Sequence, residues 1–170
     1  MPRKEIAPPR DPRDVNVASY NSVVGRTEMR GIRLLGSKFE IKPEAVEIDS
    51  SEWRKSVAYE RGDVVITPDS GRLYGILQFE VVGRHGRKKV LHASGQYLLT
   101  YHVQGECPQE DGEVFIDRVG RVAAYPYFRS LVATLVSQAG LQMPPLPMIS
   151  LAPRTLGSAA DLAEIGPSEQ

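Results

Sequence analysis

The stretch LYGILQFEVVGRHGRKKVLHASGQYLLTYHV, residues 73–103, shows the clearest pattern in this sequence. Two runs, residues 73–82 and 91–103, each alternate between two sets of side chains, and the turn signal GRHG lies between them at residues 83–86. Alternation with period two is typical of antiparallel strands that bury one face and leave the other wetter. The sequence therefore predicts a β-hairpin here.

Further strands are predicted upstream of this hairpin. In residues 29–42 (MRGIRLLGSKFEIK) the apolar residues change parity halfway, and a bulge near Gly36 would keep both halves on one face. A second strand is predicted within residues 53–59. A separate short run at residues 64–67 precedes a turn signal, PDSG, at residues 68–71.

After an acidic loop around residues 106–113, the spacing of the apolar residues changes from the two-residue period of a strand to that of a helix. Pro126 fits an early helical position, Gly140 fits a helix end, and residues 114–124 are a candidate for further helix ahead of Pro126. Between these signals the apolar residues follow helical spacing: Phe128, Leu131, Val132, Leu135, Val136 and Ala139. Strands followed by a helix indicate the α+β class.

The composition indicates one soluble domain. The chain has 170 residues, 41% of them hydrophobic, and 21 Lys and Arg balance 21 Asp and Glu. We predict a domain over residues 20–156, a disordered segment at 1–19 and a flexible acidic tail at 157–170. No apolar run is long enough to span a bilayer and no signal peptide is visible, so we expect a cytoplasmic protein without a membrane partner.

No constellation of catalytic residues is visible. His85, His92 and His102 are scattered over a turn and a strand, and no hydrolase elbow, zinc-protease motif or phosphate loop is present. Cys107 is the only cysteine, so it forms no disulfide within the chain and joins no thiolate zinc site. The sequence therefore predicts no enzyme activity, no metal and no cofactor.

A nucleic-acid-binding protein is the rival interpretation from another class. It would use the basic residues of the predicted hairpin turn: Arg84, His85, Arg87, Lys88 and Lys89. Basic residues at such tips are commonly solvated and discourage edge aggregation, and no aromatic pair is placed nearby to stack bases. Nucleic acid is therefore disfavoured as a partner.

The segment LQMPPLPMISLAP, residues 141–153, carries no charge and four prolines. The prolines exclude a regular helix. Its apolar side chains are Leu141, Met143, Leu146, Met148, Ile149 and Leu151. Two interpretations remain open, since these side chains either pack into the protein's own core or wall an apolar groove that binds a partner.

Residues 124–148 (AYPYFRSLVATLVSQAGLQMPPLPM), following an antiparallel sheet, resemble the SecB family of export chaperones. MRGIRLL at residues 29–35 and YLLTYHV at residues 97–103 are similar to the family's first and fourth strands. The resemblance implies a four-stranded antiparallel sheet packed with one long C-terminal helix. It also implies a homotetramer, built as a dimer of dimers, whose apolar grooves bind non-native polypeptide.

The resemblance also assigns residues by position. Five residues would open the long helix and contribute to assembly: Tyr125, Pro126, Tyr127, Phe128 and Arg129. The crossover loop and first strand would supply the client groove: Leu34, Leu35, Leu141, Met143, Leu146, Met148, Ile149 and Leu151. Arg129 is either a solvent-facing helix residue or the partner of an acid at a subunit interface. We expect Leu146→Asp combined with Met148→Asp to weaken client binding while folding and assembly stay largely intact.

Within the family, the sequence looks closer to the SecB-like chaperones associated with toxin–antitoxin systems, as the IRLL, YHVQ and YPY-x-R motifs indicate. Export chaperones engage the secretion ATPase through acidic residues on the sheet. Glu40 fits one such residue, but the fourth-strand position falls near His92 or Ala93. The resemblance implies an ATP-independent chaperone with an aggregation-prone antitoxin client. A general export chaperone is the alternative, although the secretion ATPase is disfavoured as a partner.

Overall fold

The computed structural model describes residues 17–148, with side chains from Tyr20 onward. Four antiparallel strands form one sheet in the order β1-β4-β3-β2; one short α-helix precedes the first strand, and the other two follow the last. The elements are α1 (Val17–Gly25), β1 (Thr27–Ile41), β2 (Arg54–Thr67), β3 (Arg72–His85), β4 (Lys88–Val103), α2 (Gln109–Phe115) and α3 (Arg121–Gln138). The predicted α+β fold, a four-stranded sheet with one long C-terminal helix, is confirmed.

The predicted hairpin is formed by β3 and β4, which pair from His85 and Lys88 to Arg72 and His102. Its two-residue turn contains Gly86, whose φ of 57° suits a residue without a Cβ. Away from the turn, over residues 73–83 and 91–103, odd-numbered positions are buried, whereas even-numbered ones are mostly half-exposed. We call these two sides of the sheet the covered face and the open face.

The bulge predicted near Gly36 is confirmed, since the pairing of β1 with β4 shifts between Leu34 and Gly36. A second shift, between Met29 and Gly31, was not predicted. Within residues 17–148, β1 is an edge strand that pairs only with β4.

Residues 54–67 form one strand, so the prediction of two separate runs was wrong. The charged, glycine-containing residues 60–63 resemble a turn, but the strand absorbs them as an irregularity between Arg61 and Val64. Pairing then continues because Val64 and the residues after it align with β3.

The helical region begins earlier than predicted. α2, a π-helical segment at Ile116–Gly120 and α3 follow one another without a break, so the region starts inside the predicted acidic loop. Pro126 lies within α3, and residues 125–129 do not open it, so that assignment was wrong. Helix persists through Pro126 because its neighbours Tyr125 and Phe128 are buried against the sheet, which offsets the missing backbone hydrogen bond.

An aromatic cluster joins α3 to the covered face. The ring of Phe79 lies 5.5 Å from that of Phe128, 5.7 Å from that of Tyr125 and 6.1 Å from that of Tyr97, measured between centroids. Glycine also allows close packing, because a Cβ on Gly75 would lie 2.6 Å from the side chain of Ile116.

Helix α1 was not predicted. It begins at Val17, inside the segment that was expected to be disordered, so that expectation was wrong for residues 17–19. The rest of that segment, residues 1–16, and the predicted acidic tail at 157–170 lie outside the described residues. Val23 anchors α1 in the core, and the Arg26 guanidinium following it donates to the carbonyls of Gln104 and Glu106. Among the described residues, no helix combines the length and apolarity needed to cross a membrane.

Candidate functional site

The chain from residue 141 to 148, here the crossover loop, runs back along α3. Its first part is tied to the segment before β2, where the Ser50 hydroxyl donates to the Gln142 carbonyl. Its last part is tied to α3, because the Tyr125 hydroxyl donates to the Pro147 carbonyl at 2.7 Å. These bonds hold a proline-rich backbone that cannot form regular secondary structure of its own.

The apolar side chains of the crossover loop divide between core and surface. Leu141 and Leu146 are 9% and 3% exposed, so the core-packing interpretation describes them. Met143 is half-buried, whereas Met148 is 76% exposed. Ile149 and Leu151 lie outside the described residues. The loop therefore uses two leucines to attach itself and presents methionine to solvent.

A cavity of about 150 Å³ lies between α3 and the crossover loop. Its lining consists of Val132, Ala133, Val136, Ser137 and residues 141–146. A cavity of about this size accepts a benzene ring in a protein core. This cavity is open on one side, so a single apolar side chain of a partner could enter it.

None of the residues that line this cavity is charged. The sequence contains no Asp, Glu, Lys or Arg between Arg129 and Arg154. Arg129 is half-buried, and its Nη1 donates to the Met148 sulfur at 2.7 Å. An uncharged surface with an apolar cavity is typical of a site that binds apolar groups.

Leu34 and Leu35 lie on the edge strand β1. They are 47% and 50% exposed on β1, and Leu34 pairs with Tyr97 of β4. Ser50, to which the loop is tied, belongs to the connection from β1 to β2. Three strand spacings, about 14 Å, separate the β1 and β2 edges of the sheet. That these leucines join the loop in one groove stays a prediction.

The residues predicted to serve assembly have mixed environments. Tyr125 and Phe128 belong to the core, whereas Pro126 and Tyr127 are exposed on the outer side of α3. Val122, one turn earlier, is also exposed. The outer side of the helix thus leaves several apolar groups uncovered.

The open face carries a charged cluster that the sequence did not identify as a unit. His92 Nε2 lies 2.7 Å from a Glu80 carboxylate oxygen, and its Nδ1 lies 3.6 Å from Glu40. Lys38 contacts Glu40 at 3.1 Å, and its hydrogen bond is the main cause that lowers the pKa of that carboxyl. The strand register, which places Glu40 opposite His92, is the signal that would have found it. The two carboxylates contact different ring nitrogens of His92, and no group of His, Cys, Asp or Glu side chains in the described part of the chain is arranged to hold a metal ion.

A second polar cluster is buried beside α3. Arg121 donates to the Tyr59 hydroxyl at 2.9 Å, and that hydroxyl lies 3.2 Å from Asp117. The guanidinium also lies 4.7 Å from the centre of the Tyr59 ring. We assign this cluster to the scaffold.

We also assign Cys107 to the scaffold. Burial raises the pKa of its thiol, which disfavours the reactive thiolate.

The fold matches a solved structure, the SecB-like chaperone Rv1957 of Mycobacterium tuberculosis, in complex with a ChAD peptide from the antitoxin HigA1 (Rv1956). The TM-score is 0.63 at 19% identity, over 78% of this chain and 97% of the other. A protein of unknown function from Streptococcus agalactiae matches with a TM-score of 0.40 at 14% identity, over 71% and 96% of the two chains. The sequence matches no protein-family profile and no curated protein. The predicted resemblance to SecB-like chaperones is confirmed at the level of the fold.

Proposed function

We propose that this protein is an ATP-independent chaperone that binds non-native polypeptide in the cytoplasm, with an aggregation-prone antitoxin as its client. The observation that carries the proposal is the open apolar cavity beside the uncharged crossover loop, on a fold shared with a SecB-like chaperone bound to an antitoxin peptide. The client site consists of the cavity and the exposed Met148 beside it.

Binding at this site would depend on burial of apolar surface. Each Å² removed from water contributes about 25 cal/mol, so one side chain in the cavity gives weak affinity by itself. Met148 adds a flexible thioether that adapts to varied client side chains. Tight binding then requires several sites on one assembly, because a long client that occupies one site meets the next at high effective concentration. Such binding consumes no nucleotide.

Assembly into a homotetramer, built as a dimer of dimers, is part of the proposal. Strand β1 is long, unpaired on its outer side and exposes Met29, Leu34 and Leu35. An exposed apolar edge of this kind is a liability unless another chain covers it. We therefore assign Leu34 and Leu35 to contact between copies, together with the outer side of α3.

Export remains the second candidate. His92 and its flanking carboxylates occupy the open face where the resemblance requires acidic residues for the secretion ATPase. A histidine at this position reduces the negative charge of that face, which favours the antitoxin client over docking to the motor.

The test measures aggregation of a chemically unfolded client, and of the antitoxin itself, by light scattering without nucleotide. We expect the wild-type protein to suppress scattering at stoichiometric ratios. Met148→Asp should require several-fold more protein. The matched control is Val65→Asp, because Val65 is also exposed, at 54%, but belongs to the open face of β2.

Two results would contradict the proposal. The first is a wild-type protein that leaves the scattering unchanged. The second is equal suppression by wild-type and Met148→Asp proteins of the same assembled mass, which would place the client elsewhere.

A further inference from the structure

Four exposed cations form a row across the open face, at the end of the sheet that contains the hairpin turn. Arg84 of β3 pairs with Arg54 of β2 on one side and with Lys89 of β4 on the other. Residues paired directly on neighbouring strands point to the same face of a sheet, so these three side chains lie side by side. Lys42, which follows β1, completes the row. We call these four residues the basic row.

A bulge in the hairpin brings the β3 and β4 members of the row to the same face. The pairing of β3 with β4 shifts between Gly83 and Arg84, and two consecutive residues of β4, Val90 and Leu91, are both buried. Because the bulge directs both of these side chains to the covered face, Lys89 lies on the open face opposite Arg84.

Lys42 reaches the row although it lies one residue beyond β1. Its backbone is extended and its N–H donates to the Val90 carbonyl at 2.9 Å, so it continues the pairing of β1 with β4. It therefore shares the open face with Glu40, two residues earlier. Lys42 and Lys89 both line an open depression of about 440 Å³ at this corner of the sheet. Glu40 is the acid of that lining, and its carboxylate contacts Lys38 at 3.1 Å.

The side chains of the basic row have no partner within the described part of the chain. None of the four makes an ion pair or a hydrogen bond there. The open-face carboxylates of Glu40 and Glu80 contact His92, and Glu52 contacts His85. Like charges directly opposite each other destabilise a sheet, so the row opposes folding unless a negative charge offsets it.

Protection of the sheet edges does not explain the basic row. Basic side chains are common on edge strands, where they discourage pairing with other chains. Arg84 and Lys89 belong instead to β3 and β4, which are the two central strands of the sheet. A partner that supplies negative charge would remove the repulsion between them.

We propose that the basic row binds a polypeptide segment that carries carboxylates at alternate residues. The row crosses four strands and therefore spans three strand spacings, about 14 Å. In an extended segment, alternate side chains lie on one side about 7 Å apart, so three carboxylates cover the same length. The site goes beyond the proposed function, because it lies on the face of the sheet opposite α3 and uses neither the cavity nor Met148.

A nucleic acid would be attracted by the same charges, but the open face offers its bases no stacking platform. Among the described strands, Tyr74 is the only Phe, Tyr or Trp on this face, and it lies ten residues from Arg84 along β3, about 33 Å away. Stacking on aromatic side chains supports the binding of single-stranded nucleic acid. An acidic peptide needs only the charges, so it is the partner that this surface fits.

The experiment measures binding of fluorescein-labelled peptides to the full-length protein by fluorescence anisotropy. One peptide alternates Glu with Ser over seven residues, and its control has Gln in place of every Glu. Neither peptide contains an apolar side chain, so the cavity beside the crossover loop does not contribute. We expect the Glu peptide to bind about tenfold more tightly at low salt, and added salt to reduce this difference by screening the charges.

Arg84→Gln removes the charge from a central position of the row and keeps a polar side chain. We expect it to weaken binding of the Glu peptide about threefold. Arg72→Gln is the matched control, because Arg72 is an exposed arginine of the same strand and face at its other end. It should bind the Glu peptide as the wild-type protein does. Urea denaturation checks that both variants fold, and Lys89→Gln is a second variant with the same expected loss.

Equal binding of the Glu and Gln peptides by the wild-type protein would overturn the proposal. So would an equal loss in the Arg84→Gln and Arg72→Gln variants. Tighter binding of a short oligouridylate than of a Glu peptide with the same charge would overturn it as well, by identifying phosphate as the preferred anion. The aggregation assay with Met148→Asp tests the cavity separately, so failure of this proposal and failure of the proposed function give different results.

Discussion

The crossover loop and strand β1 both contain leucines, but those of the loop are buried and those of β1 are exposed. The loop buries Leu141 and Leu146 beneath its own backbone. Strand β1 leaves Leu34 and Leu35 about half exposed, on the edge farthest from β2. The leucines of the loop are covered by their own chain, whereas those of β1 are covered only when another molecule packs against them.

The difference follows from how each backbone satisfies its hydrogen bonds. The loop cannot pair regularly because of its prolines, so the side chain of Ser50 holds it to the segment before β2 and that of Tyr125 holds it to α3. Strand β1 pairs with β4 on one side and leaves its outer donors and acceptors to water or to another strand. Apolar content alone therefore does not distinguish a surface that binds a client from one that binds another copy.

The largest effect is expected from Leu146→Asp. It places a carboxylate where a 3% exposed leucine packs and should cost about 3–5 kcal/mol of unfolding free energy, measured by urea denaturation. The expectation that aspartates at both Leu146 and Met148 leave folding intact is therefore wrong for Leu146. Met148→Asp alone is the control and should cost less than about 0.5 kcal/mol. Equal stability of the two variants would show that the loop is not closed by its own chain.

The next effect concerns assembly. Leu34→Asp combined with Leu35→Asp should reduce the assembled mass, measured by size-exclusion chromatography with light scattering, because like charges would meet along an apolar edge. The free energy of unfolding of the separated chain should change by about 1 kcal/mol or less, since both side chains are exposed. Val65→Asp, on the opposite edge strand, should leave the mass unchanged. An unchanged mass in the double variant would remove β1 from the proposed contact between copies.

The sequence predicted the parts of the fold that depend on local periodicity. Alternation located β3 and β4, the parity change located the bulge at Gly36, and Gly140 ends the helical region with a φ of 72°. It failed where tertiary packing overrides a local signal. Residues 60–63 resemble a turn but continue a strand, and Pro126 resembles a helix start but lies within one.

The candidate site was predicted less completely, for a related reason. The absence of charge in the crossover loop was visible in the sequence, but the burial of Leu146 and the exposure of Met148 depend on the path of the chain over α3. The position of Leu34 at an edge of the sheet depends on strand order, which places β1 and β2 at opposite edges. Strand order results from long-range pairing and has no local signature.

A smaller effect is expected from Tyr125→Phe, which removes the hydroxyl that holds Pro147. The loss of this hydrogen bond should lower the unfolding free energy by about 1 kcal/mol. Hydrogen exchange should become faster in the second half of the crossover loop, while β1 keeps its wild-type rates. Faster exchange in β1 as well would mean that the crossover loop and β1 open together and are not stabilised independently.

The smallest effect concerns Tyr97, the strand partner of Leu34 beneath the β1 edge. Burial raises the pKa of Tyr97 to about 12 from the ordinary value of 10. Below pH 10 the phenol is protonated in both states, so stability does not depend on it. Between pH 10 and about 12 the unfolded chain loses this proton while the folded chain keeps it, so stability falls as the pH rises.

Tyr97→Phe should therefore flatten the loss of stability in this range, measured by urea denaturation at several pH values. The remaining part of the loss comes from Tyr101, whose pKa burial also raises to about 12, and from Tyr59 and Tyr125, whose pKa values burial raises as well. Leu34→Ala should shift the Tyr97 titration, followed by absorbance at 295 nm, toward lower pH, because it opens the edge above this ring. An unchanged titration would mean that the β1 edge does not shield the core beneath it, which would weaken the claim that this edge needs a covering partner.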